Sequence, residues 1–107
     1  MKWFEAYKQM KEKGCLARRK CWGKDYIMWI KPEAMVRSSW CKDPILKTLV
    51  DNYGQMLDGE RVLKAEAVFC LFNSFTIETG FELRNEDRTA DDWEIINLEE
   101  WLNSKKQ

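Results

Sequence analysis

From Ala67 to Phe72 the chain runs through six residues without a polar side chain, between Glu66 and the Asn73-Ser74 pair. A run this short does not make a core helix, but it suits a central strand buried on both faces. Such a strand needs paired neighbours and something packed over it. Tyr26–Ile30 supplies a second buried strand, stopped by Pro32, because proline cannot donate to a ladder. Neither run approaches the ~18 residues of a membrane span, so no membrane partner is expected.

The remaining elements follow from periodicity and punctuation. Trp3, Phe4, Tyr7 and Met10 recur at helical spacing and Gly14 closes the pattern, which predicts an amphipathic helix over residues 2–13. Residues 15–19 read as a strand entering a turn at Trp22-Gly23-Lys24-Asp25. Asp43-Pro44 is a helix start, with Asp as N-cap and Pro at the first helical position. The stripe Ile45, Leu46, Leu49, Val50, Tyr53 carries this middle helix to Gly54. Asp58-Gly59 is a hairpin turn, residues 61–66 alternate weakly, and 75–78 alternate again. Thr79-Gly80 turns, with Phe81–Leu83 as a returning strand, and Trp93–Ile96 is a last strand. Asn97 caps a terminal helix with Glu100 three residues on, and Leu98, Trp101 and Leu102 form its buried face. The order predicts a single α+β domain spanning 1–107: an N-terminal amphipathic helix on a mostly antiparallel sheet, with a further middle helix.

Charge is divided along the chain. Lys+Arg and Asp+Glu both total 18, yet residues 1–50 hold 12 cations against 5 anions and residues 51–107 hold 6 against 13. A binder of nucleic-acid polymer needs many cations on one face, so that class is not expected. Either the halves neutralise each other in the fold, or the basic segment is kept for a small phosphate-bearing ligand or a neighbouring subunit. With no His, no Cys-x-x-Cys and four cysteines at 15, 21, 41 and 70, zinc ligation and Ser-His or Cys-His catalysis are not expected. No signal-peptide pattern opens the sequence, so a cytoplasmic location with reduced thiols is expected.

Two polar segments carry the chemistry. In Arg18-Arg19-Lys20-Cys21-Trp22-Gly23-Lys24, four cations surround an indole. Cations pair with phosphate, and an indole face stacks on a base. The same residues also suit a basic turn whose Trp covers the core. Strand alternation should aim only one of Arg18 and Arg19 at a site. In Asp87-Arg88-Thr89-Ala90-Asp91-Asp92-Trp93, carboxylates can accept from ribose hydroxyls and the Thr89 hydroxyl can donate to phosphate. A polar turn before a strand with a core Trp is the plainer reading. Asp91 and Asp92 without a third ligand make a poor metal site. Trp40, in a polar stretch, is either a lid or an oligomer contact.

Together these segments resemble the phage Thoeris anti-defence proteins of the second type. That family's N-terminal pattern is Phe-x-x-Ala, a Gly, Arg-x-x-Trp, Gly-Lys and an aromatic strand. Here it is met by Phe4-Glu5-Ala6 (one residue shorter), Gly14, Arg19-Lys20-Cys21-Trp22, Gly23-Lys24 and Tyr26-Ile27. The C-terminal pattern Trp-x-x-Ser-x-x-Asp-x-x-Ala-x-Asp-Trp is matched without a gap by Phe81, Arg84, Asp87, Ala90, Asp92 and Trp93. Phe81 stands for the usual Trp and Arg84 for the usual Ser. Residues 31–72 lie outside the resemblance.

What the resemblance implies is a sponge. Such a protein binds a cyclic nucleotide-derived immune signal, glycocyclic ADP-ribose or a cyclic dinucleotide, without cleaving it. The Thoeris or CBASS effector of the infected bacterium is then not activated. No cofactor and no catalytic residue are implied, and pockets lie between subunits of a homodimer or homotetramer. Trp22 would stack on the base and Arg19 would pair with phosphate. Gly23, Lys24, Phe81, Arg84, Asp87, Thr89, Asp92 and Trp93 would complete the site. Two other classes compete: a phage accessory protein that inhibits a host protein by direct contact, and an enzyme cleaving the signal with Asp87, Asp91 or Asp92.

Overall fold

The computed structural model describes residues 1–104. The elements run α1 (Trp3–Lys13), β1 (Leu16–Arg19), β2 (Ile27–Lys31), β3 (Ala34–Arg37), a 3-10 turn (Ser38–Trp40), α2 (Pro44–Tyr53), β4 (Gln55–Leu57), β5 (Glu60–Ala65), β6 (Val68–Phe72), β7 (Ile77–Thr79), α3 (Asn85–Thr89), β8 (Trp93–Ile96) and α4 (Leu98–Ser104). The α+β class and the antiparallel sheet pairing expected from the sequence are what the chain adopts. Its contacts divide into two compact units, residues 1–31 with 68–107, and residues 32–67.

The first unit is built on a five-stranded sheet of order β7-β6-β2-β1-β8, antiparallel throughout. Helix α1 lies on one face. Its Ala6 and Met10 are buried against Ala17 of β1, Met28 of β2, Leu71 of β6 and Trp93 of β8. Ala17 pairs with Met28, and Met28 with Leu71, so one row of small and flexible side chains crosses the sheet beneath the helix. Gly14 ends α1 in the left-handed conformation (φ 65°), its N–H reaching the Met10 carbonyl at 2.9 Å. Val68–Phe72 of the apolar run form a strand paired on both edges, with Cys70 and Leu71 buried and the others half-buried, while Ala67 is exposed before it. Phe4, counted in the helical stripe, is exposed.

Three expectations for this unit are corrected. Residues 81–83 do not return as a strand. Gly80 (φ 79°) turns the backbone so that its own N–H and that of Phe81 both bond the Phe69 carbonyl, at 2.8 and 2.9 Å, which ends the pairing. The polar segment opens as helix α3, not as a turn, with the Asp87 carboxylate accepting from the Arg84 N–H at 3.3 Å at its N-terminus. In α4 the Asn97 cap is present, accepting from Glu100 N–H at 3.1 Å, but Leu98 and Leu102 are exposed and only Trp101 packs, edge-on to Phe72.

The second unit is a three-stranded sheet, β3-β5-β4, carrying α2. Asp43 caps α2 as expected, its side chain accepting from Ile45 N–H at 3.0 Å. Asp58 and Gly59 both take positive φ (52° and 85°), turning β4 into β5. Its buried side chains are Val50 of α2 and Val62 of β5. Gly54 lets helix and strand approach: a Cβ there would lie 2.5 Å from the Val50 carbonyl oxygen and 2.7 Å from that of Val62. Strands β3 and β4 were not foreseen. Both are short, and their residues are mostly exposed, which leaves little hydrophobic pattern to read.

Candidate functional site

The basic turn and the polar helix meet in the first unit. After β1, two turns hold the backbone, with Trp22 N–H bonded to the Arg19 carbonyl and Tyr26 N–H to that of Gly23, both at 3.0 Å. Gly23 has no positive φ and open space around it, so glycine there supplies bare backbone and not a needed conformation. Opposite stand the irregular stretch 81–84 and helix α3. Between them opens a cleft of about 570 Å³ whose walls include Arg19, Trp22, Gly23, Phe81, Arg84 and Asp87. All six are residues that the sequence marks as a site. They come together within one chain.

Arg19 is the knot of this structure. Its Nε donates to Asp92 Oδ1 at 2.9 Å, its Nη1 to Asp87 Oδ1 at 3.0 Å and its Nη2 to Asp92 Oδ2 at 3.4 Å. One guanidinium thus ties β1 to α3 and to the approach of β8. Asp87 also accepts from Arg84 N–H, and its backbone carbonyl accepts from the buried Trp93 Nε1 at 2.7 Å. The bonds from Asp92 first, and then from Asp87, raise the Arg19 pKa above the ordinary arginine range. Arg19 in turn holds the Asp92 carboxyl below its usual range. The expected phosphate ligand is therefore already matched by two carboxylates.

Arg18 faces away. It pairs with Glu94, its cross-strand neighbour, at 3.1 Å, as alternation requires. These three ion pairs join the basic and acidic halves of the chain, which accounts for part of the charge division by internal neutralisation.

Four of the ten marked residues stand outside the cleft. Trp93 is 1% exposed, in the core between Trp3 (ring centroids 4.9 Å) and Trp22 (5.2 Å), and presents no face to a ligand. Asp92 is bound to Arg19. The Thr89 hydroxyl donates to the Asn85 and Glu86 carbonyls of its own helix, at 3.0 and 3.4 Å. Lys24 lines a separate depression with Arg18 and Trp101, and its carbonyl accepts from both. No family model and no curated protein matches the chain.

The cleft also holds side chains that the sequence reading assigned elsewhere: Tyr26, Glu78, Glu82 and Glu86. Tyr26 precedes β2, so the strand expected over Tyr26–Ile30 starts one residue later. Tyr26 packs against Trp22 at 4.9 Å, and Phe81 lies 6.4 Å from Trp22 on another side, both edge-to-face. Acidic density beside Phe81 was visible in the sequence, but which carboxylates share a wall depends on the coil at 81–84. Four carboxylates face two guanidiniums in the cleft, and Arg84 makes no ion pair among the described residues.

Proposed function

We propose that the first unit is a non-enzymatic binder that sequesters a cyclic nucleotide-derived immune signal, as a phage sponge acting in the cytoplasm of an infected bacterium. The observation that carries this reading is the convergence of the two resembling segments on one aromatic-walled cleft. Its volume lies within the ~300–1,000 Å³ of small-molecule sites. Trp22 and Phe81 offer ring surface for a base. Glu78, Glu82 and Glu86 accept from ribose hydroxyls and an exocyclic amino group, which suits a ligand with several riboses such as glycocyclic ADP-ribose. Arg84 takes the pyrophosphate, in place of Arg19. Retention without cleavage deprives the Thoeris or CBASS effector of its activator. In this reading the protein works as a homodimer or homotetramer, although the cleft's own walls come from one chain.

The test is to purify the protein from cells with an active defence system, heat it, and identify released small molecules by mass spectrometry. Intact signal is expected. With that molecule in calorimetry, Trp22→Ala should weaken binding by roughly 1–3 kcal/mol, and Arg84→Ala should remove much of the salt dependence. Neither release nor calorimetric binding of any cyclic nucleotide would overturn the reading. Released fragments, with turnover by dilute protein, would replace it with an enzyme.

A further inference from the structure

Helix α2 has an apolar face that its own unit does not cover. At about 100° per residue, Ile45, Leu49, Tyr53, Leu46 and Val50 fall within an arc of about 140°, and Lys47, Thr48, Asp51 and Asn52 fill the rest. Only Val50, at one margin of the arc, is buried against the sheet; the other four are between 36% (Leu46) and 74% (Tyr53) exposed. Leu57 of the edge strand β4, 46% exposed, lies on the same side of the sheet as Val62, because its partner Glu60 is two residues from Val62 along β5. An apolar face therefore runs along α2 as a ledge, with Leu57 exposed on the same side of the sheet.

We infer that this ledge is a self-association surface on which α2 packs antiparallel against α2 of a second copy of the chain. Three observations commit it to a copy. First, the unit has 36 residues and two buried side chains, and pieces below about 40 residues usually need a disulfide, a metal or association. Cys41 is its one cysteine, there is no His, and the described residues hold no metal-binding cluster. Association is the third of these.

Second, the ledge suits itself. It carries no charge along its length, and Lys47 and Asp51 neutralise each other on the opposite arc at 3.6 Å. Two-fold pairing repeats one patch on both sides and sets the two helix dipoles in opposition. Third, the area is of the right order. Taking roughly 60–120 Å² for an aliphatic side chain and 150–250 Å² for an aromatic one, the exposed fractions amount to about 230–420 Å² per copy. A standard interface buries about 800 Å² per partner, some 65% of it apolar in homodimers. The ledge supplies roughly two-fifths to four-fifths of that apolar part. This corresponds to a weak dimer.

The inference does not depend on the sponge reading, since the assay contains no ligand. Light scattering or sedimentation of the full chain between about 1 and 200 µM brackets a micromolar Kd. The mass should rise from 12.8 kDa toward twice that value. Ile45→Glu/Tyr53→Glu changes the two most exposed positions and should hold the mass at 12.8 kDa over the whole range, with the near-ultraviolet dichroism of the first unit unchanged. Tyr53→Ser alone should weaken association at least tenfold. A wild-type protein that stays monomeric overturns the inference, whether or not the double variant lowers its melting temperature. So does a dimer or tetramer that the double variant leaves intact, although such an oligomer would still be compatible with the proposed function.

Discussion

Replacing Arg19 by Met keeps the unbranched packing stem but removes the fork that binds Asp87 and Asp92. The consequence should appear first in stability. The Asp87 carboxylate is 10% exposed and would retain only its bond from Arg84 N–H. A charge-assisted hydrogen bond to so nearly buried a group contributes about 1.5–3 kcal/mol. The bonds to Asp92, one-third exposed, are screened by water and add less. At roughly 4–8 °C per kcal/mol for a unit of 60–100 residues, the expected fall in melting temperature is roughly 6–24 °C. The assay is thermal unfolding followed by near-ultraviolet dichroism, run as a double-mutant cycle with Asp87→Asn. If Arg19 acts through Asp87, the double variant should lose clearly less than the two single losses added together. Arg19→Lys should recover little, because an ammonium does not span two carboxylates as a planar fork does. A melting temperature within 2 °C of wild type, or an additive cycle, would refute the argument. Loss of ligand binding with unchanged stability would return Arg19 to the phosphate role that the sequence suggested.

Three further outcomes follow from the same geometry. Asp92 has a depressed pKa in the folded chain, so its contribution is complete above the unfolded value near 4 and is lost as pH falls through the folded one; acid titration of unfolding should therefore show a shallower limb below about pH 4 in Asp92→Asn. Gly54→Ala places a Cβ against two backbone oxygens that cannot move aside, and should cost about 1–3 kcal/mol, read as faster amide exchange in Val50 and Val62 while Met28 and Leu71 keep theirs. Replacing residues 32–67 with Asn-Gly should leave the first unit folded, since Lys31 and Val68 are already cross-strand partners; loss of cooperative unfolding would disprove it.

The sequence was most legible where a single local force decides the structure. The Gly14 stop of α1, the Asp43-Pro44 start and the Asp58-Gly59 turn depend on capping and on φ, and α1 itself on a helical apolar period. Strand β6 depends on continuous burial. Helix α3 was missed because its five residues, Asn85–Thr89, have no apolar period, and its N-terminus is held by Asp87, whose geometry is fixed by Arg19 from 68 residues away. At the site, Arg19, Trp22, Gly23 and Asp87 were legible as members of two chemically marked segments, Phe81 and Arg84 entered only through the resemblance, and the roles of all six were not legible. A guanidinium beside an indole reads alike whether it awaits a phosphate or already holds two carboxylates. Only the fold brings Asp87 and Asp92 to Arg19. Trp93 is the converse case: the plainer reading of its segment, a core Trp at the start of a strand, is what the fold adopts, with Trp3 of α1 packed on it, and the ligand role that the resemblance implies is not available to it.

The division into units explains why about a third of the chain, 36 residues of 107, says nothing about the site. Residues 31–72 lie outside the family resemblance, and the second unit is Pro32–Ala67. The boundaries differ by a few residues because Lys31 and Val68–Phe72 belong to the first unit's sheet, where burial and pairing set their sequence. Between Lys31 and Val68 the chain leaves the end of an antiparallel pair and returns to it. Such a point tolerates added length, because closing a longer loop costs only about 0.6 kcal/mol per doubling. Every wall of the aromatic cleft comes from residues 19–26 and 78–87, on the side of that boundary built from the two chain ends. A change of surface in 32–67 is therefore expected to leave the lining residues of the cleft in place, and a change at Arg19 to leave those of the α2 ledge. The two sets of variants can be measured on one protein, with ligand binding reporting the cleft and the mass of Ile45→Glu/Tyr53→Glu against wild type reporting the ledge.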